Sequence, residues 1–105
     1  AHTDINLITL LIAEPGLQVI DSSGSWVDVE LPKNSIVINI GDMLQEASDG
    51  FYKSTTHRVV NPKIDNNNSR YSMPLFIHPR DEVRLSNRFT AKEYLEKRLK
   101  AIGLK

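Results

Sequence analysis

The sequence predicts one domain made mainly of short β-strands and closed by a C-terminal helix. Three observations carry this. Short apolar runs bounded by turn residues fill roughly the first eighty positions, the hydrophobic period changes to a helical one near residue 90, and 105 residues fall below the ~150 expected per domain.

Candidate strands lie at residues 7–13, 17–21, 26–31, 35–40, 55–60 and 70–78, where aliphatic and β-branched residues cluster. Between them stand Glu14-Pro15-Gly16, Ser22-Ser23-Gly24, Pro32-Lys33-Asn34, Gly41-Asp42 and a polar loop over 61–69, all rich in residues that accept tight or left-handed backbone. Short strands at this spacing, across a strand region of 5–86, read as a sandwich or a barrel. Residues 42–49 are compatible with a short turn of helix, and Asp42, following Gly41, is expected to cap backbone donors.

The C-terminal helix is expected over residues 90–103. Thr90 and Glu93 form a capping box, Leu95, Leu99 and Ile102 repeat at i, i+4 and i+7, and Gly103 supplies the stop. Glu93 with Lys97 and Glu96 with Lys100 are favourably oriented i, i+4 pairs for the solvent face.

Composition narrows the chemistry. Without cysteine there is no disulfide framework, thiol nucleophile or thiolate metal site, so a metal here needs imidazole and oxygen ligands. The net charge of zero is unevenly laid out: residues 1–50 hold eight acids and one base, residues 51–105 twelve bases and five acids. Two complementary faces of one fold account for this without a nucleic-acid partner, because the acidic half offsets the field that phosphate binding needs. The longest apolar stretch, residues 7–13, is far shorter than the ~20 residues that cross a bilayer. With no signal peptide visible, a cytoplasmic protein without a membrane partner is expected.

His2-Thr3-Asp4 sets an imidazole and a carboxylate two positions apart, on one side of extended backbone. A second imidazole, His57, lies in the strand-like run Thr55-Thr56-His57-Arg58-Val59-Val60. Two histidines and one carboxylate on one face of an ion form the facial triad suited to non-haem Fe(II), whose open face accepts substrate and dioxygen. Further on, Arg70-Tyr71-Ser72 sends Arg70 and Ser72 to one face, with Phe76 continuing it, and Tyr71, Met73, Leu75 and Ile77 to an apolar core face. A guanidinium beside a hydroxyl is suited to clamping a carboxylate. Asn39 alternates with Val37 onto the face opposite Ile36, Ile38 and Ile40, so Asn39 and Phe76 are candidate pocket residues. His78, followed by Pro79, is expected at a strand end and not as a ligand.

These residues, with Leu7-Ile8-Thr9-Leu10-Leu11, Gly16-Leu17-Gln18-Val19, Trp26, Val37-Ile38-Asn39-Ile40-Gly41-Asp42 and Tyr52-Lys53-Ser54, resemble the isopenicillin N synthase-like branch of the 2-oxoglutarate and Fe(II)-dependent dioxygenases. The resemblance covers nearly the whole chain in order and spacing. It implies a double-stranded β-helix, or jelly roll, incomplete here and joined to the C-terminal helix. It also implies iron held by His2, Asp4 and His57, with Arg70 and Ser72 holding the far carboxylate of a 2-oxoglutarate cosubstrate.

The activity so implied is oxidation of a small organic substrate by dioxygen. Two alternatives stay open. A 2-oxoglutarate-independent iron oxidase would use the same clamp on a substrate carboxylate, and a short jelly roll could serve as a non-catalytic binding module. Family members are longer and place strands before the histidine-x-aspartate motif. A missing N-terminal part or an oligomer partner is therefore expected to complete the sheet. Ile5-Asn6 departs from the small residue of many relatives, with no function read into it.

Overall fold

The computed structural model describes residues 1–60 and 73–104. Among the described residues, six strands form two antiparallel sheets: β1 (Ile8–Ile12), β2 (Leu17–Ile20), β3 (Trp26–Asp28), β4 (Ile36–Ile40), β5 (His57–Val59) and β6 (Leu75–Ile77). One sheet has the order β4-β1-β6 and the other β3-β2-β5. After each excursion into one sheet the chain returns to the other, which is the alternation a two-sheet roll requires. The expected strands are all represented, shorter than their apolar runs, and residues 70–72 of the last lie outside the described residues.

Register in the first sheet follows from the period of two. Ile12 faces Ile36, Leu10 faces Ile38 and Leu75, and Ile8 faces Ile40 and Ile77, so one side of the sheet is aliphatic throughout. Much of that side is open: Ile12, Ile36, Ile38 and Leu75 are all exposed, by 58–65%. The core expected under Met73 and Leu75 is therefore not closed by these residues, because nothing described lies over them. Thr9, Asn39 and Phe76 form a row on the other side.

In the second sheet, Gln18 sits between Asp28 and Arg58 and bonds both, donating from Nε2 at 2.7 Å and accepting Arg58 Nε at 2.8 Å. The Arg58 guanidinium also lies 3.9 Å above the Trp26 ring. This polar row takes one face and leaves Leu17, Val19, Val27 and His57 on the other. At the β2–β3 turn, hydrogen bonds from the Ser23 hydroxyl and the Ser25 backbone hold the Asp21 carboxyl below its ordinary value.

Helix α1 (Asp42–Ala47) confirms the short helix, but its cap differs from the expectation. Gly41 is the N-cap, and Asp42 makes no side-chain cap. Helix α2 (Ala91–Ala101) has the full capping box, with Thr90 accepting from the Glu93 backbone and Glu93 accepting from the Thr90 backbone. Gly103 at φ 83 ends it. Glu93 is thus engaged at the cap, and Lys97 lies 4.7 Å from the Phe89 ring centre. Ala91, Tyr94 and Leu95 pack on Met43, Leu85 and Leu7. Ile102, expected on the buried stripe, is exposed because the packing stripe ends before it. Arg88 reaches back to α1, gripping both Glu46 carboxylate oxygens at 3.1 and 2.7 Å. Among the described residues no helix is long and apolar enough to cross a membrane.

Candidate metal centre

His2 extends the second sheet by a single bridge. Its backbone N–H donates to the His57 carbonyl at 3.1 Å, and the His57 N–H returns the bond at 3.0 Å. Such a pair projects both side chains from one face, and the two rings meet at 4.5 Å between centres. Asp4, two residues on, aims Oδ1 at both: 3.3 Å to His2 Nε2 and 3.5 Å to His57 Nε2. Ligand atoms from the three residues all lie within 4.8 Å of one another.

The surroundings fix the orientation of the donors. His57 Nδ1 is 3.1 Å from the Thr55 carbonyl, an oxygen that only accepts, so Nδ1 carries a hydrogen and Nε2 is the ring nitrogen turned toward Asp4. Asp4 and His57 are buried while His2 is largely exposed, so the group opens to solvent on the His2 side. Two imidazoles and a carboxylate without thiolates suit Fe(II).

Residues 4–7 carry Asp4 on a loop docked on the start of α1. The Asp42 N–H donates to the Asp4 carbonyl at 2.7 Å, Met43 N–H to the Ile5 and Asn6 carbonyls at 3.2 Å, and Gly41 N–H to the Leu7 carbonyl at 2.9 Å. These carbonyls satisfy helix donors that a side-chain cap would otherwise take. The contact is so close that a Cβ on Gly41 would lie 1.8 Å from the Asn6 carbonyl oxygen. The Asp42 carboxylate, freed from capping, accepts from Thr3 Oγ1 at 3.2 Å and faces Arg98.

Of the other candidates, Asn39 and Phe76 flank Thr9 on one sheet face, Asn39 half-buried and Phe76 exposed. His78 is exposed and outside the ligand group. Arg70 and Ser72 lie outside the described residues. Two residues bonded to Asp4 or to its partner, Thr9 and Asn6, escaped the sequence reading, as did Arg98, which pairs with Asp42 behind them. A lone hydroxyl in Leu7-Ile8-Thr9-Leu10-Leu11 and a lone amide before it were the available signals, since a polar group in an apolar run needs a buried partner.

A two-sheet β-fold carrying two histidines and a carboxylate at one open edge defines a non-haem iron class of site. The sequence pattern of the 2OG-Fe(II) oxygenase superfamily matches residues 1–79, and the chain belongs to that superfamily. A 2-oxoglutarate-Fe(II) type oxidoreductase of Emericella nidulans, hxnY, is 43% identical over 79 residues, covering 72% of this chain and 22% of that protein. A Shewanella oneidensis protein named as an oxygenase superposes at a TM-score of 0.90 with 54% identity, over 100% of this chain and 40% of its own. A full-length Neurospora crassa protein crystallised in complex with alpha-KG superposes at 0.79 with 32% identity, over 96% of this chain and 36% of its own. The chain thus spans less than half the length of these relatives. The isopenicillin N synthase-like branch is consistent with them, and the jelly roll is the fold they share with this chain.

Proposed function

We propose that the protein containing this chain is an Fe(II)- and 2-oxoglutarate-dependent dioxygenase that oxidises a small organic substrate, with His2, Asp4 and His57 as the metal ligands. The convergence of three ligand atoms within 4.8 Å, two from neighbouring positions 2 and 4 and one from position 57, carries this reading. Fe(II) and 2-oxoglutarate, when bound, supply the activation of dioxygen for substrate oxidation, with succinate and carbon dioxide released.

The chain's own residues bind and orient. His57, its Nδ1 hydrogen held by the Thr55 carbonyl, presents Nε2, and Asp4 presents Oδ1 from a buried position. Arg70, with Ser72, would hold the far carboxylate of 2-oxoglutarate, a guanidinium and a hydroxyl being suited to that group. Asn39 and Phe76 line the substrate side. The aliphatic face of the β4-β1-β6 sheet is covered in the assembled protein, by further chain or by a partner, and the protein works in the cytoplasm.

Anaerobic Fe(II) titration of the full-length protein tests the ligand set: His57→Ala and Asp4→Ala should each remove most binding, and unchanged affinity in both would overturn it. Arg70→Lys keeps the charge and loses the fork. It should weaken 2-oxoglutarate binding while leaving Fe(II) affinity nearly unchanged; equal cosubstrate affinity would remove Arg70 from the clamp. Stoichiometric succinate release distinguishes this reading from a cosubstrate-independent oxidase.

A further inference from the structure

Asp4, Asn6 and Thr9 are polar side chains buried together, at 7%, 3% and 2% exposure. Thr9 Oγ1 lies 2.7 Å from Asp4 Oδ2, the oxygen turned away from the histidines. A carboxylate oxygen accepts, so the single hydroxyl hydrogen goes to Asp4. The Thr9 oxygen must then accept from elsewhere, and Asn6 Nδ2 stands 3.1 Å away. The 3.4 Å approach of Thr9 Oγ1 to Asn6 Oδ1 has no hydrogen left to fill it.

The amide orientation follows independently. Asn6 Nδ2 also faces the Ile8 carbonyl at 2.6 Å and the Ile77 carbonyl at 3.5 Å, and both are acceptors only. The nitrogen must therefore stand where it does, with its two hydrogens directed to the Ile8 carbonyl and Thr9. Ile8 and Ile77 face each other across β1 and β6, so the chain of bonds runs from sheet backbone to carboxylate.

We propose that Asn6 and Thr9 are positioning residues: they hold Asp4 Oδ2 in a hydrogen bond, leaving Oδ1 as the single oxygen offered to a metal. This rests on the ligand set proposed above. Without the hydroxyl the carboxylate can rotate or present both oxygens, and the geometry that three ligands must share is no longer set in advance. A merely structural Thr9 would affect stability and not the metal.

The test is anaerobic Fe(II) titration of the full-length protein and its Thr9→Val, Thr9→Ser and Asn6→Ala variants, with Co(II) absorption spectra as a second reading of coordination. Thermal melts of the metal-free forms run beside it. Thr9→Val should weaken Fe(II) binding by about 10- to 100-fold and alter the Co(II) spectrum, while Thr9→Ser restores both. Asn6→Ala should weaken binding by a smaller factor.

A folded Thr9→Val with unchanged affinity and spectrum overturns the proposal. If Thr9→Val does not fold, Asn6→Ala decides: weakened binding with Thr9→Ser intact supports the relay, and unchanged binding overturns it. Asp4→Ala serves as the control. Should Asp4→Ala keep wild-type affinity, the ligand set itself fails; should it lose binding while Thr9→Val does not, only the relay fails.

Discussion

Arg98 Nε sits 3.4 Å from Asp42 Oδ2, tying the last turn of α2 to the helix on which the loop bearing Asp4 is docked. Nε is buried and makes no aligned hydrogen bond, so this ion pair is its compensation. Thr3 donates to the same carboxylate oxygen at 3.2 Å, and Thr3 stands between His2 and Asp4. Burial, reinforced by the Asp42 charge, pushes the neighbouring Tyr94 phenol up.

Arg98→Met should therefore destabilise the protein by roughly 1–3 kcal/mol, through the Asp42 carboxylate left without its cation. The Arg98 side chain is a third exposed, which keeps the loss below that of a fully buried pair. Arg98→Lys should recover part of it. Denaturant midpoints measure the effect, and equal midpoints for Arg98→Met and wild type would show that the pair contributes nothing.

Gly41→Ala should be more damaging than a glycine in ordinary extended backbone suggests. Its φ of −93 suits any residue, so conformational strain is not the reason. The added methyl would meet the Asn6 carbonyl oxygen, a backbone atom that cannot swing aside. Either the protein fails to fold or the loop bearing Asp4 moves off α1. A stability loss of about 1–3 kcal/mol or more, with weakened metal binding in whatever folds, is expected from overpacking at a fixed contact. A stable variant with normal metal affinity would contradict this docking.

The capping box of α2 predicts an acid-side effect. Hydrogen bonds from the Thr90 backbone and hydroxyl hold the Glu93 carboxyl below its ordinary value of 4.5. A depressed folded-state value means that its contribution is complete above 4.5 and is lost as pH falls through the folded value. Thr90→Ala should cost about 0.5–2 kcal/mol at neutral pH. In Glu93→Gln the acid-side slope should be shallower than in wild type; identical slopes would remove Glu93 as a source.

Residues 1–105 produced alone should self-associate through the aliphatic face of β4-β1-β6. Ile36→Lys combined with Ile38→Lys should disperse the particles, because both side chains are exposed and charge opposes apolar contact there. Sedimentation at several concentrations reads this, and a wild-type monomer at all of them would rule it out.

The strands and α2 were legible because period, turn residues and caps are local signals, and the candidate ligands His2, Asp4 and His57 because their types are rare and their spacing meaningful. The role of Asp42 was not legible. A carboxylate after a glycine reads as a cap, and only the tertiary approach of residues 4–7 shows that backbone carbonyls occupy that role instead. Asn6 was passed over although its shortest bonds, to the Ile8 carbonyl and Thr9, are local, because what they support is the orientation of Asp4, which shows only once residues 4–9 are folded together. Ile36 and Ile38 read as core because sequence reports which side chains avoid water, and not whether a facing layer is present.

The His2–His57 bridge joins the two ends of a chain excursion of more than fifty residues. Closing that circuit costs chain entropy that no neighbouring turn recovers, so the bridge belongs to the slow, non-local part of assembly. On the proposed ligand set, an ion held by both histidines would act as a clasp on a circuit already closed. Bound to the folded state alone, it would raise stability in proportion to the logarithm of its concentration. Chelation should accordingly lower the melting temperature of the entire domain, not of one edge. In refolding, the signal from the ion should arrive after that from α2, making metal uptake a clock for the completion of the roll.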